Sequence, residues 1–308
     1  MTDFYKKLDA IYQAGDKTAA EAYMKDYMRD LQLSEKENSP EYASVLNELA
    51  GFYRGMSRYE KSAELFTKAL DILEKNGMKP SLQFATVLLN LAGLQRLSGN
   101  PKSAVTMFIS AKEMLIDCGM TDDYAYAGVL NNLSLAYQDI GAYEDAYKMS
   151  YESYQRILQS GSNAHEIGTS LNNLAVIQMK AGAPTEAEAL IDEALHLYND
   201  MSEPDVHYAA ALTTKASLLY NAGRYRQALD FFKKALELTD HFFGKNIEYT
   251  AGARHISMVY EALDDYDSAL HHMKTAASLF EGILGSDHPR TAEARASVDR
   301  LEMKVRGI

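Results

Sequence analysis

The stretch LNNLSLAYQDIGAYEDAYKMSYES, residues 130–153, determines the fold that we predict for this chain. Apolar residues recur at helical spacing on both sides of Gly141, and glycine commonly ends a helix because it accepts positive φ. The stretch therefore predicts two short helices joined by a turn. Its pattern returns, one copy after another, along almost the whole sequence, which indicates an array of stacked repeats.

Small side chains recur in three columns, each advancing in steps of 42, 42, 41, 41 and 41 residues. Ala or Ser at a helix crossing lets two helix axes approach to about 8–10 Å, so the columns predict closely packed helical hairpins. The column in the first helices is Ala50, Ala92, Ser134, Ala175, Ala216 and Ser257. The two columns in the second helices are Ser62, Ala104, Ala146, Ala187, Ala228 and Ala269, and then Ala69, Ala111, Ser153, Ala194, Ala235 and Ala276.

Large apolar residues and a turn position complete each repeat, and together they predict an all-α fold. Leucine pairs form one apolar stripe on the first helices: Leu46 and Leu49, Leu88 and Leu91, Leu130 and Leu133, Leu171 and Leu174. The facing side of the second helices carries Phe66, Phe108, Ile191, Phe232 and Met273. The turn column reads Ser57, Gly99, Gly141, Gly182, Gly223 and Asp264.

This combination resembles the tetratricopeptide repeat. Small residues 12 and then 7 apart, leucine before the first, glycine in the turn and tyrosine two residues later form that pattern, with Tyr59, Tyr143, Tyr225 and Tyr266 at the tyrosine position. The common repeat has about 34 residues, and this one is longer. Its period, the LNNL and LNNLA strings at 130–133 and 171–175, and LGSDHPRTAEA at 284–294 resemble the repeats of kinesin light chains and their bacterial relatives. The resemblance implies a right-handed α-solenoid of stacked helical hairpins.

The domain organisation follows from the repeat positions. Residues 1–39 are predicted to form a degenerate N-terminal repeat, with helices around 4–11 and 18–31, and residues 40–285 six tetratricopeptide-like repeats. Residues 286–308 are predicted to form a C-terminal capping helix, with Asp287 as its N-cap and Pro289 in its first turn. Its charged residues suit the outer face of a terminal repeat.

Charge and composition exclude several function classes. The chain has 308 residues, of which 47% are hydrophobic, and a formal net charge of −12. It lacks the basic stripe with which proteins displace counterions from phosphates, so we expect no nucleic-acid partner and no membrane binding. The N-terminal sequence has no apolar signal-peptide core, and no apolar run approaches the ~18 residues of a membrane span. We therefore predict a cytoplasmic protein.

Motifs of catalysis and metal binding are missing from the sequence. It contains no phosphate-binding loop, dinucleotide fingerprint, HExxH, calcium loop or GxSxG nucleophile elbow. His271 and His272 are adjacent and diverge by about 100° on a helix, which makes joint ligation of one metal difficult. The single cysteine, Cys118, is interpreted as a small hydrophobe near the end of a second helix. We predict no enzymatic activity, no cofactor and no metal site.

Because first helices line the concave surface in this architecture, we assign the candidate peptide-binding site to their inner stripes, which lie three residues before the small column and one and four residues after it. The candidates on these stripes are Asn47, Arg54, Arg96, Asn131, Gln138, Asn172, Tyr220 and Arg254, and Lys180 and Asn221 lie on their flank. Asparagine can pair with both groups of a peptide unit, and arginine can hold a carboxylate through two hydrogen bonds. Gly51 and Gly93 would leave room for a guest side chain.

Kinesin-light-chain-type repeats, by resemblance, bind short extended peptides in this groove, and the roles carry over to Asn47, Asn131, Asn172, Arg54 and Arg96. Leu89 and Thr213 interrupt the asparagine column. An alternative interpretation stays open, since these asparagines could instead hydrogen-bond to a neighbouring repeat and the arginines could pair with the chain's own carboxylates.

We therefore predict a protein–protein interaction scaffold that holds an extended peptide with acidic and apolar residues in its concave groove. A peptide-signal receptor or regulatory sensor is the alternative, because stacked repeats contact only their neighbours and flex along their length. A self-assembling structural protein is a further alternative, motivated by the 21 tyrosines. The expected partner is a protein or peptide, and the expected oligomeric state is a monomer or weak homodimer.

Overall fold

The computed structural model describes residues 2–56, 58–122, 124–161, 163–201 and 206–307. Within these ranges the chain forms fifteen α-helices and no strand, which confirms the predicted all-α class. The predicted turn residue Ser57 lies outside the described residues. The helices are α1 (Thr2–Gln13), α2 (Lys17–Leu33), α3 (Pro40–Gly55), α4 (Tyr59–Lys75), α5 (Leu82–Leu97), α6 (Pro101–Asp117), α7 (Tyr124–Asp139), α8 (Tyr143–Gln159), α9 (Ala164–Lys180), α10 (Pro184–Asn199), α11 (Val206–Asn221), α12 (Tyr225–Phe243), α13 (Ile247–Ala262), α14 (Tyr266–Leu284) and α15 (Pro289–Val305).

The chain divides into two compact units, which we call unit 1 (Met1–Ser153) and unit 2 (Tyr154–Ile308). In unit 1, α1 to α7 pack each against the next, and α3 and α7 both contact α5. In unit 2, α9 to α15 pack in the same serial manner, and α9 also contacts α11. Each unit is thus a stack of helical hairpins, as predicted. The finer division into residues 1–39, 40–285 and 286–308 remains our proposal.

Each hairpin closes at the small residues of the first two columns. All twelve of these residues are at most 2% exposed. Three of the serines add a hydrogen bond across the crossing, since each hydroxyl donates to the carbonyl of the facing small residue twelve positions away. The pairs are Ser62 with Ala50 at 2.7 Å, Ser134 with Ala146 at 2.9 Å and Ser257 with Ala269 at 2.6 Å. Only backbones this close could form these bonds.

The apolar residues between the columns form the core, as their spacing predicts. Phe66, Phe108 and Ile191 from the second helices are fully buried, and Met273 is 3% exposed. Ser153 is the one small-column residue that is only half-buried. The core of each unit is therefore a series of buried clusters along the stack rather than one centre.

The turns and caps use the predicted chemistry with one exception. Gly99 and Gly141 have φ of 82° and 76°, and Asp264 takes φ of 58° at the same turn position. Asp265 caps α14 by accepting from the Ser268 amide. The prediction that Asp287 caps the last helix is wrong: His288 is the N-cap, and its ring accepts from the Arg290 amide. Because Pro289 already occupies the first helical position, the residue directly before it takes the cap.

The close crossing predicts that the free energy of unfolding depends strongly on side-chain size at Ala92, which is fully buried. Ala92→Leu should lower the free energy of unfolding by about 1–3 kcal/mol, because added methylenes force packed helices apart. Urea denaturation monitored by circular dichroism measures the change. Ala296→Leu makes the same substitution at an exposed position of α15 and should stay within about 0.5 kcal/mol of wild type. Equal effects of the two substitutions would contradict the assigned role of the crossing.

Removal of a crossing hydroxyl should cost less than added size. Ser62→Ala deletes one buried hydrogen bond but keeps the helices in contact, and alanine occupies this position in the other repeats. We expect a loss of at most about 1 kcal/mol in the same denaturation measurement. Ser62→Leu, at the same site, should cost distinctly more. A larger loss for the alanine variant would show that the hydrogen bond, rather than side-chain size, holds the crossing.

Candidate functional site

Two cavities open where neighbouring first helices are less closely packed. Helices α3 and α5 contact each other directly, as do α9 and α11. Such contacts are sparser between α1 and α3 and between α11 and α13. A cavity of about 360 Å³ lies at the first of these places, in unit 1, and one of about 420 Å³ at the second, in unit 2.

The unit 2 cavity has mainly apolar walls. Ala209 and Ala210 are among its lining residues, and their small side chains leave open space beside α13. Gly252 lines the cavity as well, but a Cβ at Gly252 would clash with a side chain of α12. The remaining lining residues are Asn172, Val176, Thr213, Thr214, Phe232, Ala235, Leu236, Thr239, Phe243, Glu248, Ala251 and His255. An apolar cavity with a few polar groups is the usual form of a ligand site.

Two polar atoms of this cavity are buried without a hydrogen-bond partner among the described residues. They are Oδ1 of Asn172, on α9, and Nδ1 of His255, on α13. A buried acceptor that loses its hydrogen bonds to water without gaining another donor costs about 1–3 kcal/mol of stability. A ligand that supplies an N–H group to the Asn172 oxygen would recover this free energy.

His255 is held in its neutral form by its surroundings. Burial lowers the pKa of the imidazole below its usual value, and the neighbouring Arg254 guanidinium lowers the pKa further. The ring packs against Phe232, with 5.2 Å between ring centroids. A neutral imidazole carries one N–H and one lone pair, so it can donate to or accept from a bound peptide group.

Phe232 and His255 also line a smaller cavity of about 150 Å³, which therefore adjoins the larger cavity of unit 2. Its other lining residues are Ser217, Tyr220, Asn221 and Met258. The predicted site residues Asn172, Tyr220 and Asn221 therefore border one pair of adjacent cavities. Burial raises the pKa of the Tyr220 hydroxyl, so this group remains a neutral donor and acceptor at physiological pH.

The other predicted residues of unit 2 lie outside the cavities. Lys180 is exposed at the end of α9. Arg254 is half-buried on α13 beside His255 and acts on that residue through its charge. His255 itself was missed by the sequence reasoning. The available signal was its position next to Arg254, which lies on a predicted inner stripe.

In unit 1 the predicted Asn47 and Arg54 join neighbouring repeats. Asn90 on α5 donates from Nδ2 to Oδ1 of Asn47 at 3.0 Å, and Arg54 donates from Nη1 to the Asn90 carbonyl at 3.3 Å. The Arg54 guanidinium also lies 3.2 Å from the point where a Cβ on Gly93 would stand. The room expected above Gly93 is therefore filled by Arg54.

The remaining predicted residues of unit 1 are dispersed. Arg96 donates to Oδ2 of Asp139 at 3.1 Å, so this arginine pairs with a carboxylate of its own unit. Asn131 is exposed, and Gln138 is half-buried near the end of the same helix, α7. These residues do not line the unit 1 cavity.

The unit 1 cavity is bordered by residues that the sequence reasoning passed over, apart from Gly51. They are Tyr12, Gly15, Lys17, Glu48, Gly51, Phe52, Gly55 and Met56. A Cβ placed on Gly51 or Gly55 would meet no atom within 4 Å, so these glycines leave the space open. The inner faces of the two units thus present different cavities.

The described residues contain neither a membrane-spanning helix nor a metal-binding cluster. No helix there combines the length and apolar character that crossing a membrane requires. No cluster of three or more His, Cys, Asp or Glu side chains is arranged to hold a metal ion in that part of the chain.

Family models of the tetratricopeptide repeat match residues 41–117, 166–240 and 253–290, together more than half of the chain. No curated protein matches the chain by sequence. Among solved structures, a putative kinesin light chain from Podosopora anserina shares 15% identity at a TM-score of 0.59, covering 66% of this chain and 98% of that one.

Two further structures resemble almost the whole chain. A tetratricopeptide repeat protein from Parabacteroides merdae shares 15% identity and covers 98% of both chains at a TM-score of 0.66. NprR in complex with its cognate peptide NprX shares 19% identity at a TM-score of 0.61, covering 98% of this chain and 83% of that one. At these identities the likeness concerns the fold. Tetratricopeptide repeats are generally non-catalytic modules that bind proteins or peptides. The chain belongs to the tetratricopeptide repeat family, with repeats resembling those of kinesin light chains.

Proposed function

We propose that unit 2 binds an extended peptide segment of a partner protein across the inner faces of α9, α11 and α13. The observation that carries this proposal is the Asn172 carboxamide oxygen, buried without a partner at the wall of an apolar cavity. A peptide N–H satisfies this acceptor, and a side chain of the same peptide fills the cavity.

The cavity is large enough to accept an apolar anchor residue of the peptide. Its volume of about 420 Å³ is sufficient for a large aliphatic or aromatic side chain. Phe232, Leu236 and Phe243 supply apolar surface, and burial of a Leu-sized or Phe-sized side chain against it contributes about 1.5–3 kcal/mol. His255, between the two cavities, is placed to hydrogen-bond the next peptide unit.

The family and one structural relative support a peptide as the guest. Tetratricopeptide repeats are interaction modules, and NprR was solved with its cognate peptide. The alternative of a peptide-signal receptor uses the same groove and remains a hypothesis. The expected acidity of the guest has no support from Arg54 and Arg96, because acceptors of unit 1 already engage both arginines.

Asn172→Ala tests the proposal because it separates binding from stability. The Asn172 carboxamide oxygen has no hydrogen-bond partner among the described residues, and alanine is the better helix former, so the urea midpoint should stay equal or rise. Random phage-displayed linear peptides of about twelve residues, about 40 Å when extended, are selected on the wild-type chain. Fluorescence anisotropy of the selected peptides should show affinity about tenfold weaker for this variant, because a buried hydrogen bond is lost.

Asn173→Ala is the matched control, since the adjacent asparagine is exposed and borders neither cavity. It should leave peptide affinity within about twofold of wild type, as surface substitutions usually do. Two results would overturn the proposal: no peptide is selected, or the selected peptides bind the Asn172 variant as tightly as the wild type.

His255 predicts a pH dependence of stability. Because burial and Arg254 lower its pKa in the folded chain, the unfolded chain binds this proton more readily. The free energy of unfolding should therefore fall as the pH drops below about 6.5, the ordinary pKa of histidine. Urea midpoints measured from about pH 7.5 to about pH 5 test this. His255→Phe should weaken the dependence, and His241→Phe, at an exposed position, should preserve it.

A further inference from the structure

The unit 1 cavity combines a carboxylate with aromatic walls. Glu48 on α3 borders it together with Tyr12 from α1 and Phe52 from α3. Gly51 and Gly55 occupy the same face of α3, and a Cβ at either position would have no neighbour within 4 Å. A side chain from another molecule can therefore reach the carboxylate without displacing any part of unit 1.

Glu48 has no cationic partner within salt-bridge distance among the described residues. The contact that its carboxylate makes is with Asn47, whose Nδ2 donates to Oε1 at 3.4 Å. Burial raises the pKa of Glu48, the Asn47 hydrogen bond lowers it, and the negative charge of Asp9 raises it again. The site is thus deficient in positive charge, and a bound cation would compensate both the burial and the repulsion.

The surroundings strengthen this preference for a cation. Burial raises the pKa of the Tyr12 hydroxyl, and the charges of Glu48 and Asp9 raise it further, so both carboxylates act on the cavity. The faces of Tyr12 and Phe52 can also attract a cation. Lys17 is the one cation that borders the cavity; it is exposed at the start of α2 and forms no ion pair with Glu48.

We infer that the unit 1 cavity is a binding site for a basic side chain, lysine or arginine, of a partner protein. The ammonium or guanidinium group pairs with the Glu48 carboxylate, and the aliphatic stem lies on Gly51 and Gly55 between the aromatic rings. The net charge of −12 attracts a basic segment toward the chain. This site is independent of the peptide site proposed in unit 2 and differs from it in guest chemistry.

The test uses the full chain labelled with ¹³C at the methionine methyl groups, since Met56 borders the cavity. The probe is Nα-acetyl-lysine methylamide, and its neutral counterpart is Nα-acetyl-norleucine methylamide, both titrated at matched chloride concentration. Loss of one methyl signal in Met56→Leu assigns Met56. The lysine probe should shift the Met56 methyl signal in a saturable manner, and the norleucine probe should bind about tenfold more weakly because it cannot form the charge pair.

Two variants and one control locate the binding. Glu48→Gln removes the charge with little change of shape and should weaken binding of the lysine probe about tenfold. Gly51→Leu fills open space in the middle of α3 and should abolish the shift without lowering the melting temperature. Glu64→Gln makes the same charge change at an exposed position of α4 and should leave the titration unchanged.

Several outcomes would overturn the inference. Equal affinity of the lysine probe for the Glu48→Gln variant and the wild type would show that no charge pair forms. Equal shifts from the lysine and norleucine probes would show an apolar site without charge selectivity. Absence of any saturable shift at Met56 would show that the cavity does not accept a basic side chain.

Discussion

The close crossing of the two helices in each hairpin is the constraint on which the rest of the structure depends. Two backbones approach closely enough for a serine hydroxyl to reach the carbonyl of the facing helix, as Ser62 does with Ala50. A larger side chain on either helix would separate them. Because the crossing recurs with a fixed period, first helices of neighbouring hairpins come into contact within a unit, as α3 does with α5 and α9 with α11. The positions of the inner faces, and of every site on them, depend on these crossings.

Small residues have a second effect when they face a neighbouring hairpin rather than the partner helix. Within a hairpin, alanines bring helices together; between α11 and α13, Ala209 and Ala210 line an open cavity. Gly51 and Gly55 leave space open in unit 1. The same residue property therefore builds the core at one position and opens a cavity at another, and the neighbouring helices decide which.

The two cavities differ in the deficiency that a guest would compensate. In unit 2 the deficiency is a hydrogen bond, because the Asn172 oxygen has been removed from water without a donor to replace it. In unit 1 the deficiency is a positive charge, because Glu48 is largely buried and the charged group that acts on its pKa, Asp9, has the same sign. Groups of this kind make the empty protein less stable than it could be, and this cost is reduced when a guest binds.

The sequence alone determined the all-α class, the helical hairpins and most of the buried small-residue columns, because helical period, side-chain size and turn chemistry act between residues close in the chain. It also predicted Asn172 as a site residue. Only the tertiary structure decided which inner-face groups are free. Arg54 is engaged by the Asn90 carbonyl, 36 residues away, whereas Asn172 and His255 are left without partners beside the same cavity. Hydrogen bonding and burial at these positions depend on helices that are remote in sequence, and no local pattern records them.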